Sequence, residues 1–280
     1  MLAYRHAFHA GNHADVLKHL VLTQVLRHMA LKDKPYTLID THAGAGGYSL
    51  ASPEAQKKGE FEHGILRLWD RTDLPAAVAD YLQIVRDFNP EGGLGRYPGS
   101  PEFARRLLRP ADALRLFELH PADVRTLAAH HAARPHTEVH HEDGFEGLKA
   151  QLPPPSRRAV LLIDPSYELK ADYARLVAAV REALRRFAEC VVIVWYPQVN
   201  RLEAAQLPKR LCNLAPKAWL HARLTVQPVD QQGFGLAGSG VVVINPPWTL
   251  HAALQEALPW LCKVLAQYDG ANYLLEQRAA

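Results

Sequence analysis

The sequence predicts a doubly wound α/β fold, and three observations carry that expectation. Strand-like and helix-period segments alternate through most of the chain. The run Ala159-Val-Leu-Leu-Ile163 is apolar at every position, as a strand covered on both faces must be, and it stops at Asp164-Pro165. Near the end, strand-like runs around 218–228 and 239–245 follow one another with no helix between them, so they should pair antiparallel. Together these give a seven-stranded, mostly parallel sheet closed by an antiparallel terminal hairpin.

The first 19 residues hold four histidines, with Tyr4, His6 and Phe8 alternating with small or basic residues. They read as an extended arm entering a helix capped near Asn12, with Val16, Leu17, Leu20, Val21 and Leu31 turned inward. Three amphipathic rings are an odd choice for a disordered tail, so the arm reads as a lid, and Tyr4 and His6 as contacts to a ligand. His9 and His13 have metal-pair spacing on a helix, but Gly11-Asn12 breaks the helix between them and no third ligand is near, so no metal is expected. A strand ending at Asp40 then meets the glycine-rich turn Thr41-His42-Ala43-Gly44-Ala45-Gly46-Gly47. Glycines there let backbone approach a ligand, and a following helix would aim its amides at an anion. The dinucleotide pattern fails, because its third glycine position holds Ser49.

Residues 50–110 are mostly helical in pattern, around Ile65–Trp69 and Val78–Phe88, and read as an insertion before the next strand, which ends at Glu118. A carboxylate at that point can accept from two ribose hydroxyls. After a helix over 121–134, a short strand leads to Asp143-Gly144, suited to an adenine edge: the acid accepts from the amine and the Gly N–H donates to a ring nitrogen. At the centre stands Asp164-Pro165-Ser166-Tyr167, at the carboxyl end of its strand, where open sheets bind ligands. The Asp164 carboxylate and the Pro165 carbonyl can each accept from an exocyclic amine, and the Tyr167 ring can stack on a base. Beyond lie a helix over 170–188, a strand over 190–197, helices over 199–213 and 249–266, a turn at Asn245-Pro-Pro-Trp248 and a polar tail.

With 280 residues, 48% of them hydrophobic, the chain reads as a single domain, 1–280, with 50–110 as its inserted subdomain. A net charge of +3 permits a nucleic-acid partner without demanding one. Phosphate contacts are expected from Lys18, Arg105 and Arg106, with Arg5, Arg96 and Arg109 as further candidates. Cys190, Cys212 and Cys262 form no CxxC pair, which disfavours disulfides and thiolate zinc. The first residues lack a signal-peptide core and no apolar run approaches the roughly 20 residues of a membrane span. A soluble, cytoplasmic protein is expected.

Asp164-Pro165-Ser166-Tyr167 resembles the Asp-Pro-Pro-Tyr motif of amino-methyltransferases acting on adenine N6 or cytosine N4. The N-terminal stretch Tyr4–His19, Asp40–Gly47, Tyr97-Pro-Gly-Ser-Pro101 and Asn245–Trp248 together resemble the RlmJ family of 23S ribosomal RNA adenine-N6 methyltransferases, over essentially the whole chain. The resemblance implies a class I, Rossmann-like, S-adenosyl-L-methionine-dependent fold and a monomeric enzyme whose partner is 23S ribosomal RNA, with no obligatory protein partner. It implies cofactor contacts at His19, His42, Ser100, Glu118, Asp143, Gly144 and Asp164, substrate contact from Tyr4, and catalysis by Asp164, Pro165 and Tyr167. The family's second proline is Ser166 here, which frees the backbone but leaves both acceptors and the ring. A DNA adenine methyltransferase, a dehydrogenase and a non-catalytic RNA-binding assembly factor are the alternatives. The lack of a separate sequence-reading domain weighs against the first, and Ser49 disfavours the second.

Overall fold

Asn12 starts the first helix by accepting the N–H groups of Ala14 (3.0 Å) and Asp15 (2.9 Å) on its side-chain oxygen. That helix, α1 (His13–Ala30), is buried along almost its whole length, as a helix apolar on most sides must be. The structure is a computed structural model describing residues 5–131, 133–229 and 235–279. Tyr4 therefore lies outside the described residues. The described part of the arm is not extended: His6–Phe8 form a 3₁₀ turn, and His6 is tied to Asp15 of α1 at 2.9 Å. Leu31, expected inside, is 70% exposed, because α1 has ended one residue earlier.

After α1 the elements run β1 (Thr37–Asp40), β2 (Gly47–Ser49), α2 (Pro53–Lys58), α3 (Leu66–Trp69), α4 (Ala76–Asp87), β3 (Arg96–Pro98) and α5 (Ser100–Leu107). Then follow β4 (Ala113–Phe117), α6 (Pro121–His131), β5 (Thr137–His140), α7 (Gly144–Gln151), β6 (Ala159–Ile163) and α8 (Lys170–Arg186). The chain continues with β7 (Val191–Gln198), α9 (Leu202–Cys212), β8 (Trp219–Thr225), β9 (Gly238–Ile244), α10 (Trp248–Leu265) and β10 (Asn272–Arg278).

The large sheet has the order β10-β8-β9-β7-β6-β1-β4-β5. Strands β5 through β7 in that order are parallel, and β7–β9, β9–β8 and β8–β10 are antiparallel. The doubly wound plan and the closing hairpin stand, but the sheet has eight strands rather than seven. Residues 272–278, expected as a polar tail, form the extra strand. An edge strand needs only one paired side and tolerates charge on its open surface, so its half-polar sequence gave no strand signal.

A second correction concerns the glycine-rich turn. No helix follows it directly. Gly44 and Gly46 take the left-handed conformation, at φ 63° and 86°, and the chain leaves them in β2, which pairs antiparallel with β3. The turn thus offers no helix N-terminus for an anion. The stretch 50–110 holds the strand β3 as well as its helices, and α5 packs on β1.

Each central strand feeds two cores. From β6, Val160 and Leu162 face a core shared with α1, α4, α5 and α10, while Leu161 and Ile163 face one shared with α7, α8 and α9. Among the described residues no helix is long and apolar enough to cross a membrane.

Candidate active site

In the sheet order, β1 lies between β6 and β4: the chain winds from β1 out to β4 and β5 on one side, then crosses back to β6 and β7 on the other. The crevice at that switch point is where an open sheet takes a ligand. A cavity of about 400 Å³ opens there, and it gathers His6, Lys18, His19, His42, Ser100, Glu118, Asp143, Gly144, Asp164 and Pro165 from seven separate segments. Its volume falls within the usual range of small-molecule pockets.

Acids dominate its wall. Asp40, buried beneath it at the end of β1, accepts from the Ser100 hydroxyl at 2.6 Å and from the His42 N–H at 3.3 Å. Burial pushes its carboxyl up to about 6 against those two hydrogen bonds. Glu118 accepts from Gly44 N–H (2.8 Å) on one oxygen and from His120 N–H (2.7 Å) on the other, so it braces the glycine turn as well as facing the cavity. Burial raises its carboxyl too. Asp143 caps α7 through Phe145 N–H (2.9 Å) and meets Arg175 at 2.7 Å. Burial works against its charge, but Arg175 and that N–H hold the carboxyl below the usual range.

Two of the cavity's histidines, His19 and His42, are kept neutral. His19 meets the Tyr97 hydroxyl at 2.8 Å and stacks on Phe103 with ring centroids 4.7 Å apart. Burial and the neighbouring Lys18 lower its pKa strongly. Burial brings His42 down to about 4. Neutral rings leave the carboxylates in charge of the field, which suits a cationic ligand rich in hydroxyl and amine donors.

Gly144 is required by space. A Cβ on it would stand 2.0 Å from the Thr41 carbonyl oxygen, so β1 and the start of α7 approach as closely as backbone allows. Gly144→Ala should force the two apart, lowering the melting temperature by several degrees and abolishing ligand binding in the cavity. Differential scanning calorimetry together with ligand titration checks both, and an unperturbed variant would refute the close-approach argument.

Lys18 is not at the surface. Its ammonium lies 2.8 Å from Asp15 and 2.5 Å from Asp164, with the side chain 6% exposed. Burial opposes its charge, but the two carboxylates overcome it and raise the pKa. The expected phosphate contact at Lys18 is therefore replaced by an internal ion pair that holds Asp164 in place. Arg105 and Arg106 are both paired with Glu102, at 2.5 and 3.1 Å, stay partly exposed, and do not line the cavity. Arg109 is likewise clamped to Asp112.

A second, smaller cavity of about 330 Å³ lies behind the first, and His6, Lys18, Asp164, Pro165 and Ser166 line both. The Asp164–Tyr167 turn is thus the partition between two compartments. Tyr167 adopts φ 55°, uncommon for a residue with a side chain. Its hydroxyl donates to the Trp195 carbonyl, and its own carbonyl accepts from Arg201 at 3.1 Å. The residue lines only the second cavity and is 4% exposed, its ring packed against those of Tyr173 and Trp195 with centroids 4.8 and 5.8 Å away. Trp195, which sequence reasoning passed over, lines the same cavity, and its indole N–H is buried without a hydrogen-bond partner among the described residues. Nothing in the run Val-Val-Ile-Val-Trp195 distinguishes that ring from a core residue. Asn245, in the other Asp-Pro-Pro-like segment, is used structurally, donating to the carbonyls of Ala188 and Cys190.

The family model described as ribosomal RNA large subunit methyltransferase D, RlmJ, matches residues 33–275. The chain is 46% identical to ribosomal RNA large subunit methyltransferase J of Escherichia coli over 261 residues, covering 93% of each protein. It is 44% identical to the protein of the same name from Haemophilus influenzae over 277 residues, 99% of this chain and 98% of that one. Among solved structures, protein LPL1258 from Legionella pneumophila superposes with a TM-score of 0.88 at 35% identity, covering 96% of this chain and 98% of that one.

Proposed function

The chain belongs to the RlmJ family of ribosomal RNA large subunit methyltransferases, and from that premise we propose that it moves a methyl group from S-adenosyl-L-methionine to the exocyclic N6 of an adenine in 23S ribosomal RNA. The observation that carries this reading is the partition. Asp164, Pro165 and Ser166 line both cavities, so an acceptor pair for an amine stands between a cofactor-sized compartment and a second one behind it.

The larger cavity fits the cofactor by its donor set. Glu118 would take the ribose hydroxyls and Asp143 and Gly144 the adenine edge, with His19, His42, Ser100 and Asp164 completing the wall. When bound, adenosylmethionine supplies an electrophilic methyl group on a sulfonium. The chain's own residues do the rest. The N6 lone pair of adenine is delocalised into its ring and is a poor nucleophile. Hydrogen bonds from the amine to the Asp164 carboxylate and the Pro165 carbonyl favour a more tetrahedral nitrogen and aim its lone pair across the partition, so positioning supplies much of the rate. Lys18 occupies one Asp164 oxygen, at 2.5 Å, and leaves the other for the amine. As positive charge appears on nitrogen, that carboxylate stabilises it and is placed to take the proton. Tyr167 and the arm that begins at Tyr4 and His6 would enclose the flipped base, whose extrusion costs a few kcal/mol when paired. The enzyme acts as a monomer in the cytoplasm, with 23S ribosomal RNA as its partner.

Glu118→Ala should weaken adenosylmethionine binding by about 1–3 kcal/mol, the cost of losing a charged acceptor. Calorimetric titration checks it, and unchanged affinity would retire Glu118 as the ribose ligand. The reaction itself is tested by tritium transfer from labelled adenosylmethionine to ribosomal RNA from cells lacking the gene, followed by mapping. Label on N6 of one large-subunit adenine is expected. Label on DNA alone, or none on RNA, would overturn the reading.

A further inference from the structure

We propose that the groove between α9 and the β8–β10 edge of the sheet is a second RNA contact, seating phosphates of the strand that leaves the target adenine. The inference rests on the reading of this chain as an RNA methyltransferase and extends it to a surface no part of the cofactor cavity includes.

The groove has a volume of about 720 Å³. Strand alternation builds its floor. On β8, Leu220, Ala222 and Leu224 are buried in the core, while Trp219, His221 and Arg223 point the other way, into the groove. Opposite them, β10 places Arg278 beside Trp219 and Glu276 beside His221. Lys209 adds its ammonium from the exposed side of α9. Three cations thus face one carboxylate, and Glu276 lies 3.9 Å from the His221 ring.

Two of these cations are set up to receive something. The Arg223 Nε is buried and has no hydrogen-bond partner among the described residues, an arrangement that costs free energy unless an acceptor arrives. The Arg278 guanidinium is held by the carbonyls of Ala215 (2.7 Å) and Lys217 (3.1 Å), which fix its position without cancelling its charge. Trp219 contributes an aromatic wall of the kind on which unpaired bases stack.

Continuity decides the occupant. Pro197 and Val199 line both this groove and the inner cavity proposed for the target base. A polynucleotide with one base in the inner cavity therefore leaves it past Pro197 and Val199, directly onto a cationic floor. A single-stranded backbone carries one negative charge per nucleotide, which matches that floor in sign.

The test is the salt dependence of binding to in vitro transcribed large-subunit ribosomal RNA. Each lost phosphate contact should lower the slope of log K against log salt by about 1, so Lys209→Gln should lower it by about 1 and Arg223→Gln with Lys209→Gln by about 2. Adenosylmethionine affinity should stay at the wild-type value in both, and Arg223→Lys should keep most of the slope. Lys209 is exposed, so its variant folds whatever Arg223 does. A wild-type slope in Lys209→Gln, or in the double variant, overturns the groove while leaving the methyltransferase reading intact. If the wild-type enzyme itself transfers no methyl group to RNA, the earlier reading fails and takes the groove with it.

Discussion

Replacing Asp164 with Ala should lower methyl transfer by about 10²–10⁴-fold, the range over which a positioned acid or base usually acts, while the protein stays folded and still binds adenosylmethionine. The fold should survive because Lys18 keeps its second partner, Asp15, at 2.8 Å, so no buried charge is left alone. Cofactor affinity should fall far less than the rate, because Asp164 is one contact among several and the ribose and adenine contacts lie on Glu118, Asp143 and Gly144. Asp164→Asn sharpens the test. It retains an oxygen that can accept from the target amine but loses the charge that meets the positive nitrogen. It should therefore recover part of the binding of RNA and little of the rate. Single-turnover methylation beside calorimetric cofactor affinity separates these outcomes. A variant with more than about a tenth of the wild-type rate would remove Asp164 from the chemistry.

The sequence made this site legible wherever a residue type and its place on a strand coincided. Glu118, Asp143 and Asp164 each stand just past a strand, and an open sheet brings such ends together. His19 and Ser100 carried no such signal, because one lies within a helix and the other begins one; only the family resemblance pointed to them. Lys18 shows the opposite failure. A basic residue read in isolation looks like a phosphate contact, but its partner can be a carboxylate far along the chain. Lys18 finds Asp164 across 146 positions, and no periodicity reports a pairing of that range. The eighth strand was missed for a related reason. An edge strand gains most of its stability from the neighbour it pairs with, here β8, rather than from an apolar face of its own.

The neutral histidines predict that this protein loses stability as the solution is acidified from pH 7 towards pH 5. Burial holds His13, His42, His131 and His221 at about 4, and lowers His19 strongly. In the unfolded chain the same rings titrate near 6.5. Between those values the unfolded state binds more protons than the folded one, so stability rises with pH and falls on acidification. The window runs from about 6.5 down to about 4, and each ring contributes up to about 1.4 kcal/mol per pH unit within it. Summed over the five rings, the loss by pH 5 should be on the order of 10 kcal/mol, comparable with a typical total of about 5–15 kcal/mol. Asp40 acts in the opposite direction. Its folded carboxyl titrates at about 6, above the unfolded value of about 3.9, so protonating it below pH 6 favours the folded state. Glu118, also raised by burial, acts the same way, and the two carboxyls offset only part of what five imidazoles remove. Melting temperatures at pH 7, 6 and 5 should therefore fall steadily, and His13→Gln, which replaces a titrating ring with an amide, should make the fall shallower by one histidine's share. A melting temperature that holds constant from pH 7 to pH 5 would mean that these rings are not kept neutral by burial.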